Sequence, residues 1–256
     1  MIDVNTFLGT YPFRHLPHPE PHVLARVLGR EDLTGAWVGH LPSAFHRDPR
    51  SANAELFEWV ALAPKVLLPV PTIRPDWPRW RQELGQVIER GAVALRTYPQ
   101  HWGYAPGDAN MTALAQACAQ ASRPLILTVR FEDLRQRHNL DVASDLSAAH
   151  VRELARARTG ARLIVTAAGR ELIEEVHWGL TPEERSDLYW DISWLWGPPT
   201  DDLSHLFRTM GSGRFLYGSM WPLRLAQGPR ANLALLEDDV ASDQLADVRS
   251  WIVPGS

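Results

Sequence analysis

The chain has 256 residues, of which 45% are apolar and 22% are charged, which is enough apolar sequence to bury a large core and predicts one domain over residues 1–256. The formal net charge of −4 and a pI near 6.2 argue against non-specific nucleic-acid binding, which needs a basic surface. Cys118 is the only cysteine, so the sequence excludes an internal disulfide and a thiolate metal cluster.

Short runs of strand-forming residues alternate with helical patterns along the whole chain. The eight predicted strands are IDVNTFL, TGAWVGH, KVLLPV, AVALRTY, PLILTVR, RLIVTA, LYWDIS and RFLYGS. The segments with helical spacing between them include PHVLARVL, ANAELFEWVALA, PRWRQELGQVIER, NMTALAQACAQA, AAHVRELARA and DDLSHLFRTM. Eight β-then-α units in one chain of this length predict a closed (β/α)8 TIM barrel of the α/β class. The alternative, an open doubly wound sheet, is disfavoured because no G-x-G-x-x-G turn follows the first strand.

The N-terminal segment enters the first predicted strand directly. It lacks the basic stretch followed by an apolar stretch that is typical of a signal peptide. No apolar run approaches the length needed to span a bilayer, so no membrane partner is expected. We therefore expect a cytoplasmic protein, and the sequence is compatible with a homo-oligomer.

Two arginines end neighbouring predicted strands, Arg96 the fourth and Arg130 the fifth. A guanidinium inside an apolar strand has to be paired or has to face a solvated cavity. Neighbouring parallel strands bring their ends within roughly 5 to 10 Å of each other, so we expect the two arginines to bind an anion together. The competing interpretation is an internal ion pair with Asp133 or Asp191. The predicted substrate-binding residues are Arg96, Arg130, Tyr98, Asn5 and Asp191.

The longest irregular stretch, residues 130–147, directly follows the fifth predicted strand, and a loop of that length is typical of a lid or a binding loop. His138 and Asp133 lie in it, and His101 follows the fourth strand. These three are the predicted catalytic residues, because an imidazole near its working pKa or a carboxylate in a top-face loop can transfer protons.

Several tryptophans also follow strand ends: Trp102, Trp194, Trp196 and Trp221. They could line a pocket for an apolar or aromatic ligand. Ordinary packing of helices against the barrel explains them equally well, and the sequence leaves both interpretations open.

Four segments carry a resemblance to a known family. IDVNTFLG resembles the I-D-x-H-x-H-x-G opening of the amidohydrolase superfamily, in its branch of decarboxylase-like and lactone-hydrolase-like members. GAVALRTYPQHWGY resembles the fourth-strand segment of that branch, DLYWDIS the seventh and GRFLYGSMWPL the eighth. The resemblance runs from residue 2 to about residue 224 and implies the same barrel fold.

The resemblance also implies where a metal ion would bind, because that family holds zinc or a similar ion with five side chains on four strands. The matching positions here are Asn5 and Phe7 in the first strand, Thr128 or Arg130 in the fifth, 166–168 in the sixth and Met220 in the eighth. Phenylalanine and methionine cannot replace imidazole and carboxylate as ligands of such an ion. We therefore predict that the metal ligands are lost and that no metal or other cofactor is used.

Taken together, the sequence predicts an amidohydrolase-like barrel that works as a metal-independent hydrolase or decarboxylase/lyase on a small anionic carboxylate substrate. Two alternatives stay open. One is a metal-dependent hydrolase whose ion has moved to loop histidines and Asp191. The other is a non-catalytic ligand-binding protein that keeps only the scaffold, since the fold alone does not establish activity.

Overall fold

The computed structural model describes residues 1–17, 20–236 and 245–252, and in it strands and helices alternate. The strands are β1 (Ile2–Leu8), β2 (Gly35–His40), β3 (Leu67–Pro69), β4 (Leu95–Thr97), β5 (Leu125–Thr128), β6 (Leu163–Thr166), β7 (Leu188–Asp191) and β8 (Phe215–Leu216). The helices are α1 (Pro21–Arg30), α2 (Arg50–Val60), α3 (Trp80–Glu89), α4 (Pro99–Trp102), α5 (Ala109–Gln120), α6 (Ala148–Arg156), α7 (Arg170–Trp178), α8 (Asp202–Met210) and α9 (Gln227–Ala234).

The strands pair in parallel and in chain order, β1-β2-β3 in one sheet and β4-β5-β6-β7-β8 in the other. Backbone hydrogen bonds join the two sheets along both edges. The Val93 amide donates to the Pro69 carbonyl at 3.0 Å next to β4, and the Val4 amide of β1 donates to the Tyr217 carbonyl at 2.9 Å. The architecture is therefore the predicted (β/α)8 barrel.

The N-terminal end of the barrel is filled with apolar side chains. Val4, Trp37, Ile126 and Ile164 point inward there, and Val248 from the segment 245–252 packs against them. Since this end holds a packed core, the opposite end is the one left for a ligand.

The C-terminal end of the barrel carries a second buried group, which we call the aromatic cluster. Its buried members are Phe7, Tyr11, Leu16, Leu41, Ala44, Tyr98, Phe131, Ala167, Trp194, Met220 and Leu223. Phe131, directly after β5, stands at its centre, with ring centroids 5.8 Å from Phe7 and 5.6 Å from Tyr98.

The described residues contain two helices that were not among the predicted patterns. Helix α4 is a single turn that begins at Pro99, and α9 has the weak helix formers Gly228 and Pro229 in its first turn. Within the described ranges, no helix combines the length and the apolar character needed to cross a bilayer.

Candidate active site

A hydrogen-bonded row of polar side chains, which we call the polar chain, crosses the barrel beneath the aromatic cluster. Its members are Asn5, Arg96, Thr128 and Asp191. The Asn5 side-chain amide donates from Nδ2 to Oδ2 of Asp191 at 2.7 Å, and its Oδ1 accepts from Nη1 of Arg96 at 3.1 Å. The same Nη1 donates to Oγ1 of Thr128 at 3.2 Å, and the Ala167 amide donates to Oδ1 of Asp191 at 2.8 Å. Asn5, Arg96 and Asp191 were all predicted site residues, and Asn5 forms direct hydrogen bonds with the other two.

This polar chain is sealed from solvent. Arg96 and Asp191 each expose 0% of their surface, and the Arg96 guanidinium lies 4.4 Å from the centre of the Phe7 ring. Burial lowers the pKa of Arg96 and raises the pKa of Asp191, because each loses the hydration of its charged form. The neutral Asn5 side chain connects the two opposite charges, and Arg96 makes its hydrogen bonds through Nη1 while Nε and Nη2 make none.

Two other groups complete this interior. Asp3 is buried next to Asn5, and its Oδ1 accepts the backbone amides of Asn5 and Ser219, each at 3.0 Å. Burial raises the pKa of Asp3 to about 7. Gly218 lies against Asp191, where a Cβ atom would come within 2.5 Å of Oδ2. A larger residue at 218 would displace the carboxylate that Asn5 holds.

The three predicted catalytic residues lie in different surroundings. His101 packs into the aromatic cluster against Tyr98 and Phe131, neither ring nitrogen has a hydrogen-bond partner, and burial lowers its pKa to about 4. His138 is exposed and stacks on Phe13 at 5.6 Å. The structure does not bring the two imidazoles to one site. The reason is that α4 turns His101 inward, whereas residue 138 lies on the outer part of its loop.

Arg130 and Asp133 do not pair with each other. Arg130 contacts Asp145 at 3.0 Å, and Arg137 shares that carboxylate. Asp133 instead binds Arg135, with Nε to Oδ1 at 2.9 Å and Nη2 to Oδ2 at 3.1 Å, and this contact lowers the pKa of the Asp133 carboxyl. The ion-pair partners expected for Arg130 were Asp133 or Asp191, and the structure replaces both with Asp145.

A cavity of about 750 Å³ opens beside the aromatic cluster, at the C-terminal ends of the strands. Its walls come from residues 131–136 after β5, 193–196 after β7, 219–232 after β8, and Arg14. The loops that follow β2 and β4, residues 40–50 and 98–106, also lie at the C-terminal ends of the strands. These do not line the cavity, because Leu41, Ala44 and Tyr98 turn into the aromatic cluster instead.

The charged residues that line this cavity are Arg14, Glu132, Asp133, Arg135 and Arg224. Arg14 pairs with the buried Glu132 and also donates from Nη2 to the Leu223 carbonyl at 3.0 Å. Arg135 pairs with Asp133. Arg224 has no ion pair with any described residue, so the described lining carries one uncompensated positive charge.

Arg224 is held by aromatic rings rather than by a carboxylate. Its Cζ lies 4.3 Å from the centre of the Trp194 ring and 4.6 Å from that of Trp196. Partial burial lowers the pKa of its guanidinium, which stays charged at neutral pH. The sequence analysis missed Arg224. The available signal was an arginine inside the apolar run WPLRLA directly after the eighth strand, the same argument that singled out Arg96 and Arg130.

No protein-family model matches the chain, and no curated protein matches it. Solved structures do match. An amidohydrolase from Mycobacterium avium subsp. paratuberculosis superposes with a TM-score of 0.62 at 17% identity, covering 92% of this chain and 74% of that one. The 2,6-dihydroxybenzoate decarboxylase from Rhizobium gives 0.67 at 12% identity, with 94% of each chain covered. A probable 2-pyrone-4,6-dicarboxylic acid hydrolase from Acinetobacter baumannii, with citric acid bound, gives 0.60 at 10% identity, covering 95% and 90%.

The chain shares its barrel fold with these proteins. The resemblance carried by the four sequence segments is thereby confirmed for the architecture. At these identities the match concerns the fold, so the chemistry has to be argued from the side chains.

The positions where the resembled family binds its metal do not fit an ion in this barrel. Both polar atoms of the Asn5 amide are hydrogen bonded, Phe7 and Met220 belong to the aromatic cluster, and the Arg96 charge lies against Phe7. An apolar ring and a nearby cation are the opposite of what a divalent ion needs. Across residues 1–17, 20–236 and 245–252, no three His, Cys, Asp or Glu side chains are grouped to hold a metal. Metal independence itself stays a prediction.

Proposed function

We propose that this protein is a metal-independent enzyme, a hydrolase or a decarboxylase/lyase, that acts on a small carboxylate bound in the cavity beside the aromatic cluster. The observation that carries the proposal is Arg224, a half-buried guanidinium that lines the cavity without a carboxylate partner among the described residues. Such a group is available to an anion, and a substrate carboxylate supplies the opposite charge.

The position of Arg224 suits a carboxylate for geometric reasons as well. The Trp194 and Trp196 rings hold the guanidinium in place, so little freedom is lost when a ligand arrives. A planar guanidinium binds a carboxylate through two parallel hydrogen bonds and thereby orients the rest of the molecule. The indoles, together with Leu223, give that molecule an apolar wall.

Hydrolysis is the first of the two reactions that we propose. An ion pair with Arg224 stabilises a carboxylate in the ground state, which slows the loss of that same carboxylate as carbon dioxide. Arg224 is therefore better suited to binding a carboxylate that takes no part in the reaction. A decarboxylation requires the leaving carboxylate to lie away from Arg224.

We assign the proton transfer to Glu132, whose carboxylate lines the cavity and is only 7% exposed. Asp133 also lines the cavity, but it is the more exposed of the two carboxylates, and its contact with Arg135 lowers its pKa. His101 and His138 do not line it. The structures that share the fold include proteins named as acting on carboxylates, and one of them holds citric acid.

The proposal is tested on protein purified without chelator. We expect well below one equivalent of zinc, iron or manganese, and turnover of at least one carboxylate-bearing ester or lactone in a substrate panel that a chelator leaves unchanged. We expect Arg224→Met to abolish the turnover, while Arg26→Met, at an exposed position of α1, retains it. Turnover that depends on a stoichiometric ion would establish the metal-dependent alternative. Carboxylate binding without any turnover would establish the non-catalytic one.

A further inference from the structure

We infer that the cavity selects ligands with one carboxylate over ligands with two. The inference rests on the proposed function, because it assumes that a carboxylate binds Arg224. It adds to that proposal how many negative charges a ligand of the cavity can carry.

The first step is the charge balance of the cavity wall. Of the three lining guanidiniums, Arg14 already pairs with Glu132 and Arg135 with Asp133. Arg14 also uses Nη2 on the Leu223 carbonyl. The described lining therefore offers one free cation, Arg224, and a single carboxylate neutralises it.

The second step concerns where another carboxylate could go. The loop after β5 holds further arginines, but Arg130 and Arg137 both pair with Asp145. Arg137 donates in addition to the Ala143 carbonyl at 2.7 Å and to the Glu132 carbonyl at 3.2 Å. One carboxylate balances only one of these two charges, but neither arginine lines the cavity, so neither is placed to meet a ligand there. A second ligand carboxylate would leave water without gaining a partner, which disfavours it.

The third step is repulsion. The cavity wall also presents the carboxylates of Glu132 and Asp133. Like charges brought together in a partly buried site cost binding free energy, which is the usual way a site rejects a wrong ligand. Arg14 and Arg135 pair with these two carboxylates and weaken the repulsion, so the missing cation is the main source of the selectivity.

The test measures binding of three ligands built on one ring, by calorimetry at constant pH and ionic strength. Benzoate carries one carboxylate, isophthalate carries two, and monomethyl isophthalate matches isophthalate in size with a single charge. We expect benzoate and the monoester to bind at least about tenfold more tightly than isophthalate. Arg224→Met should abolish the binding of all three.

A gain-of-binding variant sharpens the test. Glu132→Gln keeps the size of the side chain and leaves the Arg14 charge uncompensated, so isophthalate should gain about tenfold in affinity while benzoate changes less. Asp133→Asn is the matched control. It frees Arg135, whose side chain is 88% exposed, and solvent screening should keep the gain for isophthalate smaller. Circular dichroism confirms that each variant is folded.

The outcomes separate the two proposals. Tighter binding of isophthalate than of benzoate in the wild type would overturn the selectivity while leaving a carboxylate site at Arg224. An unchanged preference in Glu132→Gln would overturn the charge balance as its cause. If none of the three ligands binds, or if Arg224→Met binds them like the wild type, the proposed function fails and the selectivity fails with it.

Discussion

Two arginines at the C-terminal end of this barrel show how position decides what a charge does. Arg96, on strand β4, is fully buried and hydrogen bonded to Asn5 and Thr128. Arg224, in the loop after β8, is half-buried between two indoles and has no ion pair among the described residues. The first guanidinium is part of the internal structure, and the second is available to a ligand.

The difference comes from the cost of burial. A charge deep in the barrel is tolerated only with nearby compensation, which Asp191 supplies through the Asn5 side chain. A charge at the cavity wall keeps part of its hydration and gains attraction from the indole faces, so it can remain without a carboxylate. The polar chain beneath the aromatic cluster should therefore resist change, whereas the cavity wall should tolerate it.

The largest expected effect follows from removing the buried cation. Arg96→Met should lower the free energy of unfolding by about 3–5 kcal/mol, because it leaves the Asp191 carboxylate buried without its compensating charge. Urea denaturation monitored by tryptophan fluorescence measures the loss. The double variant Arg96→Met/Asp191→Asn should recover part of it, since no unpaired charge remains. A loss below about 1 kcal/mol in the single variant would contradict the structural role of Arg96.

The next effect tests whether the aromatic cluster excludes water from His101. The pKa of His101 is lowered to about 4 in the folded protein, against 6.5 for the free side chain. Between these values the unfolded chain binds the proton and the folded protein does not, so stability contributed by the neutral ring is lost as the pH falls from 6.5 towards 4. Over this range the free energy of unfolding should fall by up to about 1.4 kcal/mol for each unit by which the pH falls.

The variant His101→Gln isolates this contribution. Asp3 acts in the opposite direction, because its raised pKa makes the folded protein hold a proton up to about pH 7, but it is present in both proteins and cancels in the difference. The stability of His101→Gln relative to wild type should therefore rise as the pH falls from 6.5 to 4, in urea titrations at several pH values. A difference that does not vary with pH would mean that solvent reaches His101.

The sequence was sufficient for the barrel and for placing Asn5, Arg96 and Asp191 at one end of it, although it predicted that these residues bind substrate. Eight apolar runs alternate with helical patterns, and the two-residue alternation of β1 places Asn5 inside, where it meets Arg96 of β4 and Asp191 of β7 across the interior of the barrel. These contacts depend only on strand order and side-chain direction, both of which the pattern contains.

The loop contacts could not be predicted in the same way. Arg130 pairs with Asp145, fifteen positions further along the chain, because of the path that the loop takes between β5 and α6. His101 is buried because α4 forms directly after β4 and turns the ring towards Phe131. No short-range pattern encodes these paths, and the position of the cavity depends on them.

The smallest expected effect on stability comes from removing the cavity arginine, and it is the counterpart of the prediction for Arg96→Met. Arg224→Met should change the free energy of unfolding by no more than about 0.5 kcal/mol, because no described ion pair is broken and a methionine side chain can also pack between Trp194 and Trp196. Urea denaturation in the same buffer as for Arg96→Met checks it. Since the two substitutions are chemically identical, the difference between them reports the surroundings alone. A loss for Arg224→Met as large as that for Arg96→Met would mean that the cavity arginine braces the fold, and the comparison between the two regions would no longer hold.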